Sequence, residues 1–326
     1  MKVTRRKFTG LFGSMAAGFA ISSDANAEPF PSRTVRIVVP FSAGGSADVT
    51  ARILADALSA EWAQPVIIEN KAGAGTTLAS TFVARAAPDG YTMYLAYNQS
   101  FAATASLYRS LPYDPIKDFT PVSMVAEAPF VLAVSAGVAA QDYAQFVQLA
   151  KSTPGGLTFA STGAGAGPHL ATELFLRSAG LQAVHVPFRG TNEVVTQLLG
   201  GHVQFSFLDA SALGQLKGGQ LRPLAVTSPG RWIQLPDIPT VKEAAKIEFA
   251  VSSGSCILCP GSLDASLLER LNTSIRKALE TPDVKRRLAE QGFTAVSSTP
   301  AELSAKIRDD IDRLGGVIRE LNLKAN

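Results

Sequence analysis

The residues best suited to chemistry lie in two glycine-rich turns, VPFSAGGSAD from Val39 to Asp48 and STGAGAGPH from Ser161 to His169. Each follows an apolar run and leads into a helical pattern. Such a turn gathers backbone N–H groups at the positive end of a helix dipole, where a phosphate or carboxylate is held without a cationic side chain. The sequence offers no G-x-x-x-x-G-K-[ST], no G-x-G-x-x-G with an acidic residue after the next strand, and no G-x-S-x-G. Ser42, Ser161 and His169 are the only plausible nucleophile and base set. The turns predict capture of an anion rather than turnover, although a glycine needed only for a tight turn would leave the same trace.

Two other chemistries are weighed on their residues. Cys256 and Cys259 form a C-x-x-C, but FAVSSGSCILCP reads as an extended strand, where residues three apart point to opposite faces. A reactive pair of this spacing sits at a helix N-terminus instead. Two thiols without a redox role are expected, with a strained or intermolecular disulfide as the alternative. His169, His185 and His202 are far apart in sequence and near no Cys or carboxylate cluster of ligand spacing, so no metal and no cofactor are expected.

Residues 1–27 read as an export signal. Lys2, Arg5, Arg6 and Lys7 form a basic head, Leu11 to Ile21 an apolar segment too short to span a bilayer, and Ala25-Asn26-Ala27 an A-x-A cleavage site. TRRKF, from Thr4 to Phe8, resembles the twin-arginine signal. The expected mature chain begins at about Glu28 and is periplasmic; an uncleaved N-terminal anchor is the alternative. Without the signal, 26 basic residues face 26 acidic ones, so nothing in the charge points to nucleic acid or an anionic membrane.

The elements that must position the turns alternate between β-rich and helical patterns, which predicts α/β architecture with parallel sheets covered on both faces. VRIVV is followed by a helix with Ala47, Ala51, Leu54, Leu58 and Trp62 on one face. PVIIE, a helix near Thr76 to Ala86 and YTMYLAY come next. The turns SAGG, NKAGAG and NQS should gather at one edge, since ligands of open α/β sheets sit beyond the carboxyl ends of the strands. SLPYDPIKDFTPV reads as a surface crossing without a long helix or strand. LTFAS, VHVPF and VQFSF repeat the strand, turn and helix unit, and helices near 264–279, 282–291 and 300–321 close the chain. Long strands near Val125 to Val134 and Phe249 to Leu258 would join two lobes: 28–128 plus 250–326, and 129–249. Their Gly-rich turns would then face each other across a cleft, as in a hinge-closing binding protein.

Beyond this pattern, VPFSAGGSAD, ENKAGAGTTLAS, APDGYT, SLYRSLPYDPIKDFTPVSMVAEAPFVLAV, GAGPHLATELF, HVPFRG, GQLRPLAVTSP, LPDIPTVKEA and PGSLDASLLERLN resemble, in order, signatures of the extracytoplasmic solute receptors of tripartite tricarboxylate transporters, the Bug family. The resemblance covers nearly all of the mature chain. It implies a type II periplasmic-binding-protein (Venus flytrap) fold, a small carboxylate ligand held in the cleft, a monomer, and delivery to a membrane permease or presentation to a sensor. An enzyme on the same two-lobe frame is the further alternative.

Carried over by residue, the first carboxylate-holding loop falls on Phe41, Ser42, Ala43, Gly44, Gly45 and Asp48, and the opposing loop on Ser161, Thr162, Gly163, Ala164, Gly165 and onward to His169. The resemblance implies that one carboxylate is gripped by backbone groups and bridging waters, with no arginine. Asp48 is expected to cap the helix or hold the loop rather than touch ligand. His169 is expected to pack or hydrogen-bond within its loop, with ligand or water contact as the sharper reading. Tyr97, Asn98, Phe188, Arg189, Thr191 and Asp209 are the specificity candidates. Ala43 and Ala72 stand where proline is common in the family, Ala79 where glycine is frequent, and RWIQLPDIPT lacks the usual Ser-Pro.

Overall fold

The computed structural model describes residues 30–188, 190–320 and 322–324, so the export signal and Arg189 lie outside the described residues. The chain builds a first sheet from β1 (Val35–Val39), β2 (Val66–Asn70) and β3 (Thr92–Tyr97), with α1 (Ser46–Trp62), α2 (Thr77–Ala84) and α3 (Asn98–Leu107) after them. A long strand, β4 (Phe119–Pro129), then leads to β5 (Val131–Val134) of a second sheet. That sheet continues through α4 (Tyr143–Ser152), β6 (Leu157–Ser161), α5 (Gly167–Ala179), β7 (Ala183–Pro187), α6 (Thr191–Leu199), β8 (Phe205–Leu208), α7 (Leu213–Lys217), β9 (Arg222–Val226) and α8 (Val241–Ala245). The return strand β10 (Ser252–Pro260) precedes α9 (Ala265–Glu280), α10 (Pro282–Glu290), β11 (Thr294–Ala295) and α11 (Pro300–Glu320).

The strand orders are β11-β4-β10-β3-β1-β2 and β7-β6-β8-β5-β9. Only β2, β1 and β3, and likewise β7, β6 and β8, run parallel; β10, β4, β11, β5 and β9 pair antiparallel. The expectation of parallel sheets is corrected in this respect. One strand leaves the first lobe where another returns, so the two crossings must run in opposite directions and pair as neighbours. The segment read as a surface crossing also ends in a strand, because β4 begins at Phe119, which is buried.

Alternation explains how β1 serves two cores. Val35, Ile37 and Val39 face one way, packing with Ala51, Leu54 and Leu58 of α1, while Val38 faces the other with Ala79 and Val83 of α2. Burying a Val, Leu or Ile side chain contributes about 1.5–3 kcal/mol, so these strands anchor the turns at their ends. Cys256 and Cys259 also fall on opposite faces of β10, in separate cores, and burial pushes both thiols up to about 12. That placement suits neither a mutual disulfide nor a reactive thiolate.

The lobes meet in at least three places, one of them where Gln234 Nε2 donates to the Ala289 carbonyl at 2.7 Å. Near the crossings, the buried Thr227 hydroxyl accepts from the Phe130 amide at 2.8 Å and donates to the Val251 carbonyl, while its backbone pairs with Phe130 (2.9 Å) and Val251 (3.0 Å). Farther out, Leu170 and Leu174 of α5 pack on Ala102, Ala103 and Leu107 of α3 and on Leu314, Val317 and Ile318 of α11. Arg177 pairs with Glu320 at 2.7 Å across the same boundary. Among the described residues no helix is long and apolar enough to cross a membrane.

Candidate functional site

A cleft of about 550 Å³ opens between the lobes, lined from the first sheet by Phe41, Gly45, Gly75, Thr76 and Tyr97 and from the second by residues 162–168, Gly190, Thr191 and Asp209. Its position follows from the strands, because β1, β3, β6 and β7 all end toward it and hand the chain to a helix. A larger surface depression of about 720 Å³ beside α2 belongs to one lobe only, and its Arg33 and Arg36 are already paired with Asp89 and Glu69.

Uncapped helix starts gather at the cleft, although α7 and α10, whose first residues do not line it, also start without a side-chain cap. Gly45, Tyr97, Ala166 and Gly190 precede α1, α3, α5 and α6; all four line the cleft, and none caps its helix with a side chain. By contrast α4, α8, α9 and α11, which do not reach the cleft, are capped by Asp142, Thr240, Asp264 and Thr299. An uncapped start leaves N–H donors for another acceptor, and its dipole favours negative charge. The described lining contains no Lys, Arg or His; its one acidic residue is Asp209.

Asp48 holds the first-lobe loop from behind. It is 2% exposed and accepts from the Gly44 amide (2.9 Å), from Arg52 Nε (2.9 Å) and Nη2 (3.1 Å), and from Asn70 Nδ2 (3.0 Å). The same Asn70 group donates to the Phe41 carbonyl at 3.0 Å. Its bonds to Arg52, followed by those to Gly44 and Asn70, outweigh desolvation and lower the carboxyl to about 2. Gly44 sits at φ +84°, a conformation costly to any residue with a Cβ. Phe41 meets Tyr97 edge-on at 5.6 Å.

The opposing loop is held by rings instead of charges. The Gly165 amide donates to His169 Nδ1 at 2.9 Å. Ser161 Oγ donates to the Gly163 carbonyl (3.0 Å), accepts from the Gly163 amide (3.2 Å) and contacts His185 Nε2 at 2.6 Å. Ser161 is therefore engaged with His185 and not with His169, and Ser42 is an exposed loop residue, so the three are not assembled as nucleophile and base.

The structure brings Phe41, Gly45, Tyr97, Thr162, Gly163, Ala164, Gly165, Thr191 and Asp209 to the cleft wall. Ser42, Ala43 and Gly44 lie in the loop behind it, Ser161 and His169 are buried beneath, and Phe188 packs partly into the core. Asn98 does not face the cleft. Fully buried, it donates to Asp310 (2.6 Å) and accepts from the amide of Gly254, a cleft residue, at 3.0 Å. Asp209 caps a short turn through the Ser211 amide (3.0 Å) and accepts from Ser211 Oγ and from Thr191 Oγ1 (3.1 Å). Desolvation, then the Asp209 charge, push the Tyr97 phenol upward.

Sequence reasoning missed Thr76, Tyr108, Phe130 and Phe293, all on the cleft wall. The NKAGAG turn was a signal for the first: Ala74, Gly75 and Thr76 all have positive φ (45°, 57° and 80°), and Tyr108 Oη donates to the Ala74 carbonyl at 2.8 Å. Phe130 lies within the crossing strand expected near Val125 to Val134, whose pattern does not say that it faces the cleft, and Phe293 just before β11, for which no local pattern is read. No group of three or more His, Cys, Asp or Glu among the described residues could hold a metal.

Comparison with known proteins agrees with this geometry. Residues 50–323 match the family described as the tripartite tricarboxylate transporter family receptor. Protein BugT of Bordetella pertussis is 35% identical over 326 residues, with 99% of each chain covered. A Rhodopseudomonas palustris protein solved with adipate superposes with a TM-score of 0.79 at 29% identity, covering 90% of this chain and 99% of its own. MatC from the same organism, solved with bound malate, gives 0.75 at 31% identity, covering 89% and 100%. With two α/β lobes around a cleft, the chain belongs to the tripartite tricarboxylate transporter receptor family, the Bug-type periplasmic solute-binding proteins.

Proposed function

We propose that this chain is exported, cleaved after about Ala27, and captures one small organic acid for a tripartite tricarboxylate-type membrane permease, without catalysis or cofactor. Lobes 28–128 plus 250–326 and 129–249 would close on the ligand. Its carboxylate would lie between the Phe41–Gly45 and Ser161–Gly167 loops, bound by backbone N–H groups directly or through water. The observation that carries this reading is the convergence of four uncapped helix starts on a cleft whose described lining lacks a cationic side chain. The adipate and malate bound by solved relatives support the ligand class. Thr191 and Asp209 would face the distal end. An ionised Asp209 disfavours a second carboxylate there and favours an amino or hydroxyl group.

A thermal-shift screen of mono- and dicarboxylates, amino acids and aromatic acids, each beside its neutral amide, tests the grip. A ligand at a hundredfold excess over its Kd stabilises by about 2.7 kcal/mol, a rise of roughly 4–8 °C at this chain size. Equal shifts from an acid and its amide would refute the carboxylate grip, and an unchanged ligand ranking in Asp209→Asn would refute the role of Asp209.

A further inference from the structure

Three aromatic rings are stacked beneath the second-lobe loop, and two are imidazoles. His169 lies 3.9 Å from His185 at 12° between planes, and Phe159 lies 4.8 Å from His185 and 6.0 Å from His169. The pairing of Phe159 with His185 across β6 and β7 sets this stack. His169 is 2% exposed.

The Gly165 amide assigns the His169 ring proton, and the Ser161 contact bears on that of His185. Because the Gly165 amide donates to His169 Nδ1, that nitrogen is bare and the proton sits on Nε2, which faces Glu173 Oε1 at 3.6 Å. With the Ser161 hydroxyl hydrogen on the Gly163 carbonyl, the 2.6 Å contact is made by an Nε2–H tautomer of His185 donating to Ser161. A proton added to His169 Nδ1 would set two donors against each other at 2.9 Å, and the Gly165 amide would have to leave. Two stacked rings this close cannot both be charged. Glu173 faces His169 Nε2, while burial, then the charge of His169, hold His185 down at about 4.

We propose that His169 is a positioning residue whose neutral ring sets the Gly165 amide, that His185 sets Gly163 through Ser161, and that one proton on His169 releases the loop from its ligand-ready shape. The consequence for binding rests on the reading that this loop holds the ligand. The proton coupling itself does not, so it is tested on ligand-free protein.

Nitrogen-15 NMR of the labelled chain should show His169 as the Nε2–H tautomer at neutral pH. The Gly165 amide resonance should titrate with the His169 midpoint, and its hydrogen exchange, corrected for pH, should rise about five- to tenfold as the ring charges. In His169→Asn, Oδ1 replaces Nδ1 as acceptor, so the titration should vanish while slow exchange remains. In His169→Leu exchange should be fast at every pH. An Nδ1–H tautomer, or a Gly165 resonance flat through the His169 titration, overturns the proposal, and both are read on the wild-type chain should the leucine variant fail to fold.

Discussion

The two cleft loops stand in equivalent places, each between a strand end and an uncapped helix, yet they are secured differently. Behind Gly44, Asp48 is a carboxylate held ionised down to about pH 2 and shared by Arg52, Asn70 and a backbone amide. Behind Gly165 stands a neutral imidazole stacked on another. A carboxylate with three donors is a strong, acid-resistant tie, whereas an imidazole acceptor exists only while its nitrogen is bare. One frame therefore combines a fixed loop with a conditional one.

The largest expected effect comes from the contact that only one loop makes. A Cβ on Gly165 would come within 2.7 Å of Leu107 at the end of α3, in the other lobe, whereas a Cβ on Gly44 meets nothing within 4 Å. Gly165→Val should lower affinity more than a hundredfold for any acid found in the screen, with cooperative melting retained. Gly44→Val should show mainly the cost of its backbone conformation, about 1–2 kcal/mol, in a urea titration. Equal losses of affinity in both variants would remove the asymmetry.

Asp48→Ala comes next. It strands the Gly44 amide, one N–H of Asn70 and the half-exposed Arg52, and should cost about 2–3 kcal/mol in urea unfolding. The pH dependence has a definite sign. Both folded-state values are depressed, so each group contributes stability that is present at higher pH and lost on acidification. For His185 the window runs from its ordinary 6.5 to about 4; for Asp48 it runs from 3.8 to about 2. Acid titration followed by amide resonances should disturb residues 161–167 before residues 41–45, and the reverse order would break the comparison.

The smallest effect is expected at Thr76. A β-branched residue at φ +80° is strained, and glycine removes that strain at some cost in unfolded-state entropy. Thr76→Gly should raise the melting temperature by about 1–2 °C, equivalent to about 0.5 kcal/mol. A lowered temperature would mean the side chain contributes more than its backbone costs.

The glycine turns and their helices are legible in the sequence because both signals are local: an apolar run, a turn and a 3.6-residue period within about twenty residues. Asp48 is legible for the same reason, being three residues past Gly45. His185 is not, since its pairing with Ser161 and His169 depends on the β6–β7 register. Asn98 misleads as an exposed turn because NQSFAATASL is small and polar, with little periodic contrast; it becomes α3 through packing against α11. The antiparallel crossings are likewise invisible locally, because alternation marks a strand but not the direction of its neighbour.

Thr227 bears on the mechanics of the whole chain. Its backbone and hydroxyl join both inter-lobe crossings, at Phe130 and at Val251, in a buried setting. Two separate ribbons could bend at different heights and let the lobes slide or twist independently. Riveted at one residue, they share a pivot, so bending one crossing applies torque to the other. If the lobes close, their rotation would be guided by this shared pivot, and the two glycine turns would approach along a repeatable arc.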